Sequence, residues 1–329
     1  MAGRQKTMDS GSQDGGDVLE GDKTAGAALP LPDADALAAS AEMALKLRQP
    51  ATGSDLFFTH VFNNGPVQPR NHVSVARVFD TAVDLGYLAW PMELRKTAYG
   101  RDILDLGCGS SLHGPVFRAL GANSYTGIDR NIEPMRKRLR NRRLKTSVST
   151  PFSMADVVRL VPGVTYMRAE ETTSRDSFDL ILVQGSMTAS HPDPEKLFSQ
   201  LHRALRSGGE LTFVHHNFHS WSGHQGKPKG PADFDPQNAE HVQNMDWGHT
   251  LFDPPADHKF ATDFNRVKLS QLRKIIDRYF DIKTWTPVRE KKAIAERLTH
   301  GLRRSLDGFT DDELLVKSVT VEARRRDDV

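Results

Sequence analysis

The sequence predicts an α/β fold: a doubly wound, seven-stranded, mostly parallel sheet with an antiparallel last strand, preceded by N-terminal helices and carrying one long insertion. Three observations carry that expectation. From Arg101 onward, apolar runs of strand length alternate with runs of helical periodicity, the texture of a parallel sheet joined by crossover helices. The run Asp102-Ile103-Leu104-Asp105-Leu106 enters Gly107-Cys108-Gly109, so a strand meets a glycine turn before a helix begins. The next apolar run, Tyr125-Thr126-Gly127-Ile128, ends in an acid, Asp129, about 20 residues beyond the first glycine. Over that spacing a carboxylate meets ribose hydroxyls in nucleotide-binding βαβ units.

Strands are predicted near 102–106, 123–128, 164–168, 178–184, 209–216, 281–288 and 315–323. Helices are predicted near 113–120, 132–141, 151–160, 192–206 and 268–279. Pro151 behind Ser149-Thr150, and Pro192 with Pro194, mark helix starts, and the second of these runs closes at Gly208-Gly209. Little separates the last two strands except a helical stretch near 289–302 and a short helical turn, which sets them apart from the crossover-linked strands.

Ahead of the sheet, residues 1–32 read as a disordered tail rich in Gly, Asp and Ser. Residues 33–100 read as a helical cap. A helix is expected from the N-cap Asp33 to about Leu47, and another over 72–85, where Val73, Val75, Ala76, Phe79, Ala82 and Val83 fall at helical spacing. The aromatic cluster Phe57-Phe58-Thr59-His60-Val61-Phe62 is expected to pack that cap onto the sheet, with substrate contact as the alternative. The insertion 217–262 lacks periodicity and is dense in His, Pro, Gly and Asp, and a stretch that long is functional or disordered. Its Phe218, Trp221, Phe234 and Trp247 argue for folding over something. Residues 324–329 read as a frayed, charged tail.

Composition narrows the function. The 329 residues are 38% hydrophobic with a formal net charge of +2, so the total carries no strong polyanion signal. A single cysteine, Cys108, excludes an internal disulfide framework and fits a reducing, cytoplasmic compartment. No run approaches the length of a membrane span. The segment Met135–Lys145 concentrates seven positive charges, which reads as a solvated helix face or, alternatively, as a nucleic-acid contact.

Together, Leu104-Asp105-Leu106-Gly107-Cys108-Gly109 and the strand-end Asp129 resemble the first two motifs of the class I S-adenosylmethionine-dependent methyltransferases, whose fold is Rossmann-like. The resemblance extends to Ser177-Phe178-Asp179-Leu180-Ile181-Leu182-Val183, similar to the family's fourth strand, and to the run Leu201–Leu211, with Gly208-Gly209 leading into its fifth. It covers about residues 101–216 of a domain read as 101–323. A dehydrogenase fingerprint wants a third glycine close behind the second, whereas Ser111-Leu112-His113 intervene here before Gly114.

The resemblance implies S-adenosylmethionine as cofactor. It implies Gly107, Cys108 and Gly109 as the turn beneath the cofactor, Asp129 with Arg130 on the ribose, and Asp105 orienting the methionine ammonium. It implies Ala169 and Glu170 at the adenine, and Gln184 on the sulfonium side. Because the methyl carbon is already electrophilic, the protein has mainly to align an in-line attack and remove the acceptor's proton. Histidines at the sheet edge and in the insertion supply that base: His216, His224 and His249 are the candidates, with His219 beside them. His215 and His216 fall on opposite faces of their strand. The cluster lacks a partner cysteine or a helical His-x-x-x-His pair, so no metal site is read.

Asn/Asp-Pro-Pro-aromatic, the turn of nucleobase amino-methylating enzymes, is replaced here by Gln184-Gly185-Ser186-Met187, and no second cysteine exists to attack cytosine. The expected acceptor is therefore the hydroxyl of a small molecule or glycan, covered by the insertion 217–262 as a lid. Two alternatives stand beside it: an RNA or other nucleic-acid methyltransferase using residues 135–145, and a non-catalytic, S-adenosylmethionine-binding regulatory protein.

Overall fold

The computed structural model describes residues 73–169, 174–184 and 187–329. The predicted tail, the 33–47 helix, the 57–62 aromatic cluster and Glu170 lie outside these residues. The described chain runs α1 (Val75–Asp84), α2 (Ala89–Glu93), α3 (Arg95–Ala98), β1 (Asp102–Leu106), α4 (His113–Ala119), β2 (Ser124–Ile128), β3 (Arg138–Arg140), β4 (Ser147–Ser149) and α5 (Met154–Leu160). It continues through β5 (Val164–Met167), β6 (Phe178–Val183), α6 (Met187–Ser190), α7 (Pro194–Ala204) and β7 (Leu205–His216). The insertion then forms α8 (Ala239–Asn244), α9 (Gly248–Leu251) and α10 (Lys259–Thr262). The last part comprises α11 (Leu269–Tyr279), β8 (Phe280–Arg289), α12 (Lys292–Ala295), α13 (His300–Ser305), α14 (Asp311–Leu315) and β9 (Val316–Arg325).

Seven strands form one sheet in the order β5-β2-β1-β6-β7-β9-β8. The first five of that order pair in parallel, and β9 runs antiparallel to both its neighbours, as the sequence predicts. Central strands are largely apolar because both faces are covered. Leu104, Leu106, Ile181, Val183, Leu211 and Phe213 pack beneath α7 and α11. Their alternates Ile103, Tyr125, Leu180 and Leu182 pack beneath α1, α4 and α5. At the amino edge, Arg206 ties β1 to β6 through Asp102 (2.8 Å) and Asp179 (2.9 Å). No helix among the described residues is long and apolar enough to cross a membrane.

Three stretches differ from expectation. The helix predicted near 132–141 is replaced by a small hairpin in which β3 pairs antiparallel with β4. Leu139 is the buried residue of β3, with Arg138 and Arg140 on the opposite, exposed face, so the strand period of two decides the local structure. The turn is closed by Asn141, whose Oδ1 accepts the N–H groups of Arg143 and Leu144. The insertion is more ordered than its composition suggests. Trp221 and Trp247 are fully buried against Ile294, Leu306 and Leu314 of the β8–β9 connection. The segment read as a frayed tail is structured at its start, because Arg324 and Arg325 pair in β9 with Glu210 and Phe280.

Candidate functional site

The carboxyl ends of β1, β2 and β6 meet around a cleft of about 230 Å³. Parallel strands leave their crevice at this edge, where the backbone turns toward the crossover helices. Five of the residues the sequence assigns to a cofactor line the cleft: Gly107, Asp129, Arg130, Ala169 and Gln184. Asp105, Cys108 and Gly109 lie outside the lining, behind or beside the turn, and Glu170 lies outside the described residues.

Gly107 cannot be another residue without rearrangement. Its φ is +78°, and a Cβ there would stand 2.6 Å from Met187 Cγ and 2.9 Å from the Gln184 carbonyl. The displaced third glycine also has a use. A Cβ on Gly114 would meet the Tyr125 ring at 2.7 Å and the Tyr166 hydroxyl at 2.9 Å, so this glycine permits α4 to approach the sheet closely.

Asp129 sits at the mouth of the turn with both oxygens anchored. Oδ2 accepts the Gly109 N–H at 3.0 Å and Oδ1 the Asn131 N–H at 2.7 Å. Each oxygen retains acceptor capacity, so the carboxylate can take a vicinal diol while its position is fixed. Asp105 is fully buried one layer down. Its Oδ2 accepts from the Tyr125 hydroxyl (2.6 Å) and from Gln184 Nε2 (2.5 Å), whereas its Oδ1 is buried without a partner. A missing donor beside a buried carboxylate suits a cationic ligand relayed to it. The same network reaches His113, 3.2 Å from Gln184 Nε2, whose imidazole burial holds below its usual range.

The Cys108 thiol points away from chemistry. It donates to the Gly109 carbonyl at 3.2 Å, lies over Gly127, and is pushed well up by burial and then by the neighbouring Asp105 and Asp129. A thiol held protonated is a poor nucleophile.

None of the three predicted bases lines this cleft. His216 and His224 border a second cleft of about 340 Å³ at the end of β7, together with Asn217, Lys229 and Lys317. His216 is half-buried and held below its usual value by burial and then by Lys317. His224 is buried, lowered to about 3 by desolvation, and accepts the Gly226 N–H at Nδ1, which puts its ring proton on Nε2. His249 lies inside the insertion, fully buried against Phe218 and His224, and donates from Nε2 to the Phe218 carbonyl at 2.9 Å. His219 likewise donates to the Arg266 carbonyl at 2.8 Å. Among the described residues no three His, Cys, Asp or Glu side chains gather as a metal-ligand set.

Sequence reasoning missed Asn131, Met187, Ser190, His191 and Pro192, all of which line the first cleft. Asn131 had a local signal, since it stands two residues past the strand-end acid. The others arrive with the short helix α6 and the turn behind it, and only the fold brings them to the glycine turn.

Residues 99–252 match the family model described as a methyltransferase domain. No curated protein matches the chain. Among solved structures, similarity is found to a protein from Listeria monocytogenes classed as an S-adenosylmethionine-dependent methyltransferase, at 14% identity over 73% of this chain and 99% of that one, with a TM-score of 0.44. An S-adenosylmethionine-dependent methyltransferase from Mesorhizobium loti aligns at 19% identity over 72% of this chain and 97% of that one, TM-score 0.42. The 1,6-didemethyltoxoflavin-N1-methyltransferase of Burkholderia thailandensis aligns at 14% identity over 83% and 87%, TM-score 0.40. The matched segment, residues 99–252, is thus similar to a methyltransferase domain, in keeping with what the glycine turn and Asp129 resemble.

Proposed function

We propose that this chain is an S-adenosylmethionine-dependent methyltransferase that acts in the cytoplasm and methylates a hydroxyl oxygen of a small molecule or glycan held at the end of β7, with the insertion 217–262 as one wall of its site. The observation that carries the reading is the second cleft, beside the cofactor's own edge of the sheet and lined by His216 and His224. Register supports their proximity: Val183 pairs with Phe213, so Gln184 lies beside Val214, two residues before His216.

The bound cofactor supplies an electrophilic methyl group. This chain's residues do the rest. Asp129 takes the ribose hydroxyls, Gly107 admits the ligand to the backbone, and Gln184 with Asp105 secures the amino-acid end. His216 is the proposed base. Its lowered pKa leaves the imidazole largely unprotonated at neutral pH, ready to accept the hydroxyl proton as the oxygen attacks. The deeper His224 and His249 hold the wall that carries it.

The reading is tested by following a labelled methyl group from the cofactor into fractionated cell extract. Label is expected in small-molecule or glycan fractions, and label mainly in RNA would overturn the acceptor class. With the acceptor isolated, His216→Gln is expected to lower turnover about 100-fold with S-adenosylhomocysteine affinity unchanged. An unaltered rate would remove His216 as the base.

A further inference from the structure

The basic run that the methyltransferase reading leaves unused forms a third cleft, of about 320 Å³, on the β3–β4 hairpin. We propose that this cleft is a binding site for the phosphate or diphosphate group of a small molecule docked against the cofactor site. Its lining includes Arg136, Arg138, Arg140 and Lys145, and none of its lining residues is acidic. None of these four side chains makes an ion pair or hydrogen bond among the described residues.

The run is divided by use. Arg142 and Arg143 are structural: Arg142 contacts His113 Nε2 at 3.2 Å, and Arg143 donates to the Val83 carbonyl at 3.0 Å. The backbone is pinned as well, since the Tyr87 hydroxyl donates to the Arg140 carbonyl at 2.8 Å and the Arg142 N–H to the Leu85 carbonyl at 2.9 Å. The cations that remain therefore project from a held scaffold. Arg138 and Arg140 are alternate residues on the same strand face, rooted about 7 Å apart. Guanidinium groups so placed present two donor forks, the arrangement that matches phosphoryl oxygens. Four like charges gathered on one hairpin repel one another, and an anion relieves that repulsion.

The ligand's size and orientation follow from the other walls. Asn131 lines both this cleft and the cofactor cleft, and Ser110 directly follows the glycine turn. A molecule anchored here by its phosphate has its remaining part directed along Asn131 toward the cofactor. A compact anion is favoured over a nucleic-acid backbone because these cations sit on one hairpin and the whole chain carries only +2.

The test uses the full chain and titrates inorganic phosphate, inorganic pyrophosphate and a single-stranded RNA oligonucleotide by calorimetry, with S-adenosylhomocysteine as a separate control. Pyrophosphate is expected to bind one-to-one and more tightly than phosphate. Each of Arg138→Gln and Arg140→Gln should weaken it about tenfold, with S-adenosylhomocysteine affinity and thermal midpoint retained. Protein that binds S-adenosylhomocysteine but not pyrophosphate would overturn the proposal, as would double-variant protein with undiminished pyrophosphate affinity. RNA binding without pyrophosphate binding would overturn it in favour of a nucleic-acid surface. Failure of S-adenosylhomocysteine alone would speak against the cofactor site and leave the pyrophosphate result to be read by itself.

Discussion

At the residue scale, the two glycines of the turn separate backbone conformation from close approach. Both have positive φ, +78° at Gly107 and +59° at Gly109, but a Cβ meets neighbours only at Gly107. Gly109→Ala should therefore cost only the conformational term, about 1–2 kcal/mol, whereas Gly107→Ala adds a collision with the fixed Gln184 carbonyl. Thermal unfolding of the two variants, with S-adenosylhomocysteine titration, checks this. Gly107→Ala should melt lower and bind less, and equal behaviour would mean that close approach does not select the glycine. Cys108→Ala is expected to retain methyl transfer, since the thiol is buried, protonated and turned to a carbonyl. Activity lost with fold and cofactor affinity intact would contradict that. The turn and Asp129 were legible in the sequence because their roles are local, a positive φ and a strand-end carboxylate. His224 and His249 read as reachable bases because nearness to the sheet edge is visible in a sequence and burial is not.

At the element scale, the insertion acts as a packed wall. Trp221 and Trp247 are each fully buried against side chains of the β8–β9 connection, and the Trp247 indole N–H donates to the Leu314 carbonyl at 3.0 Å. Trp221→Ala should destabilise the protein by about 3–5 kcal/mol, read as a lowered denaturant midpoint. A change under ~1 kcal/mol would indicate a flap that opens without unpacking. The insertion was illegible as structure because its short helices bury through tryptophans and turns without a repeating apolar stripe. The hairpin at 138–149 was misread for a related reason. Arginine is a good helix former and one leucine sets no period, while the contacts that decide the matter, from Tyr87, Leu85 and Ser147–Ser149, come from elsewhere in the chain. The parallel strands, by contrast, announce themselves as continuous apolar runs.

At the scale of the whole molecule, four buried imidazoles couple stability to pH. Desolvation leads in lowering His215 and His224 to about 3, and His219 and His249 to about 4. The unfolded chain protonates them near 6.5 while the folded chain does not, so it binds more protons over the interval between. Stability is therefore complete above about 6.5 and falls as pH drops toward 4, by up to about 1.4 kcal/mol per pH unit for each histidine. Thermal midpoints between pH 7.5 and 5 should decline below 6.5, and a flat profile would mean that these rings are not held neutral. The central claim, that the turn at Gly107 and the acid at Asp129 build an S-adenosylmethionine site, is tested most directly by calorimetric titration of S-adenosylhomocysteine into wild-type and Asp129→Ala protein. The wild type should bind at a single site, and Asp129→Ala, still folded by circular dichroism, should bind at least about tenfold more weakly. A well-folded wild type that takes up no S-adenosylhomocysteine, or an Asp129→Ala variant that binds it equally well, would contradict the account.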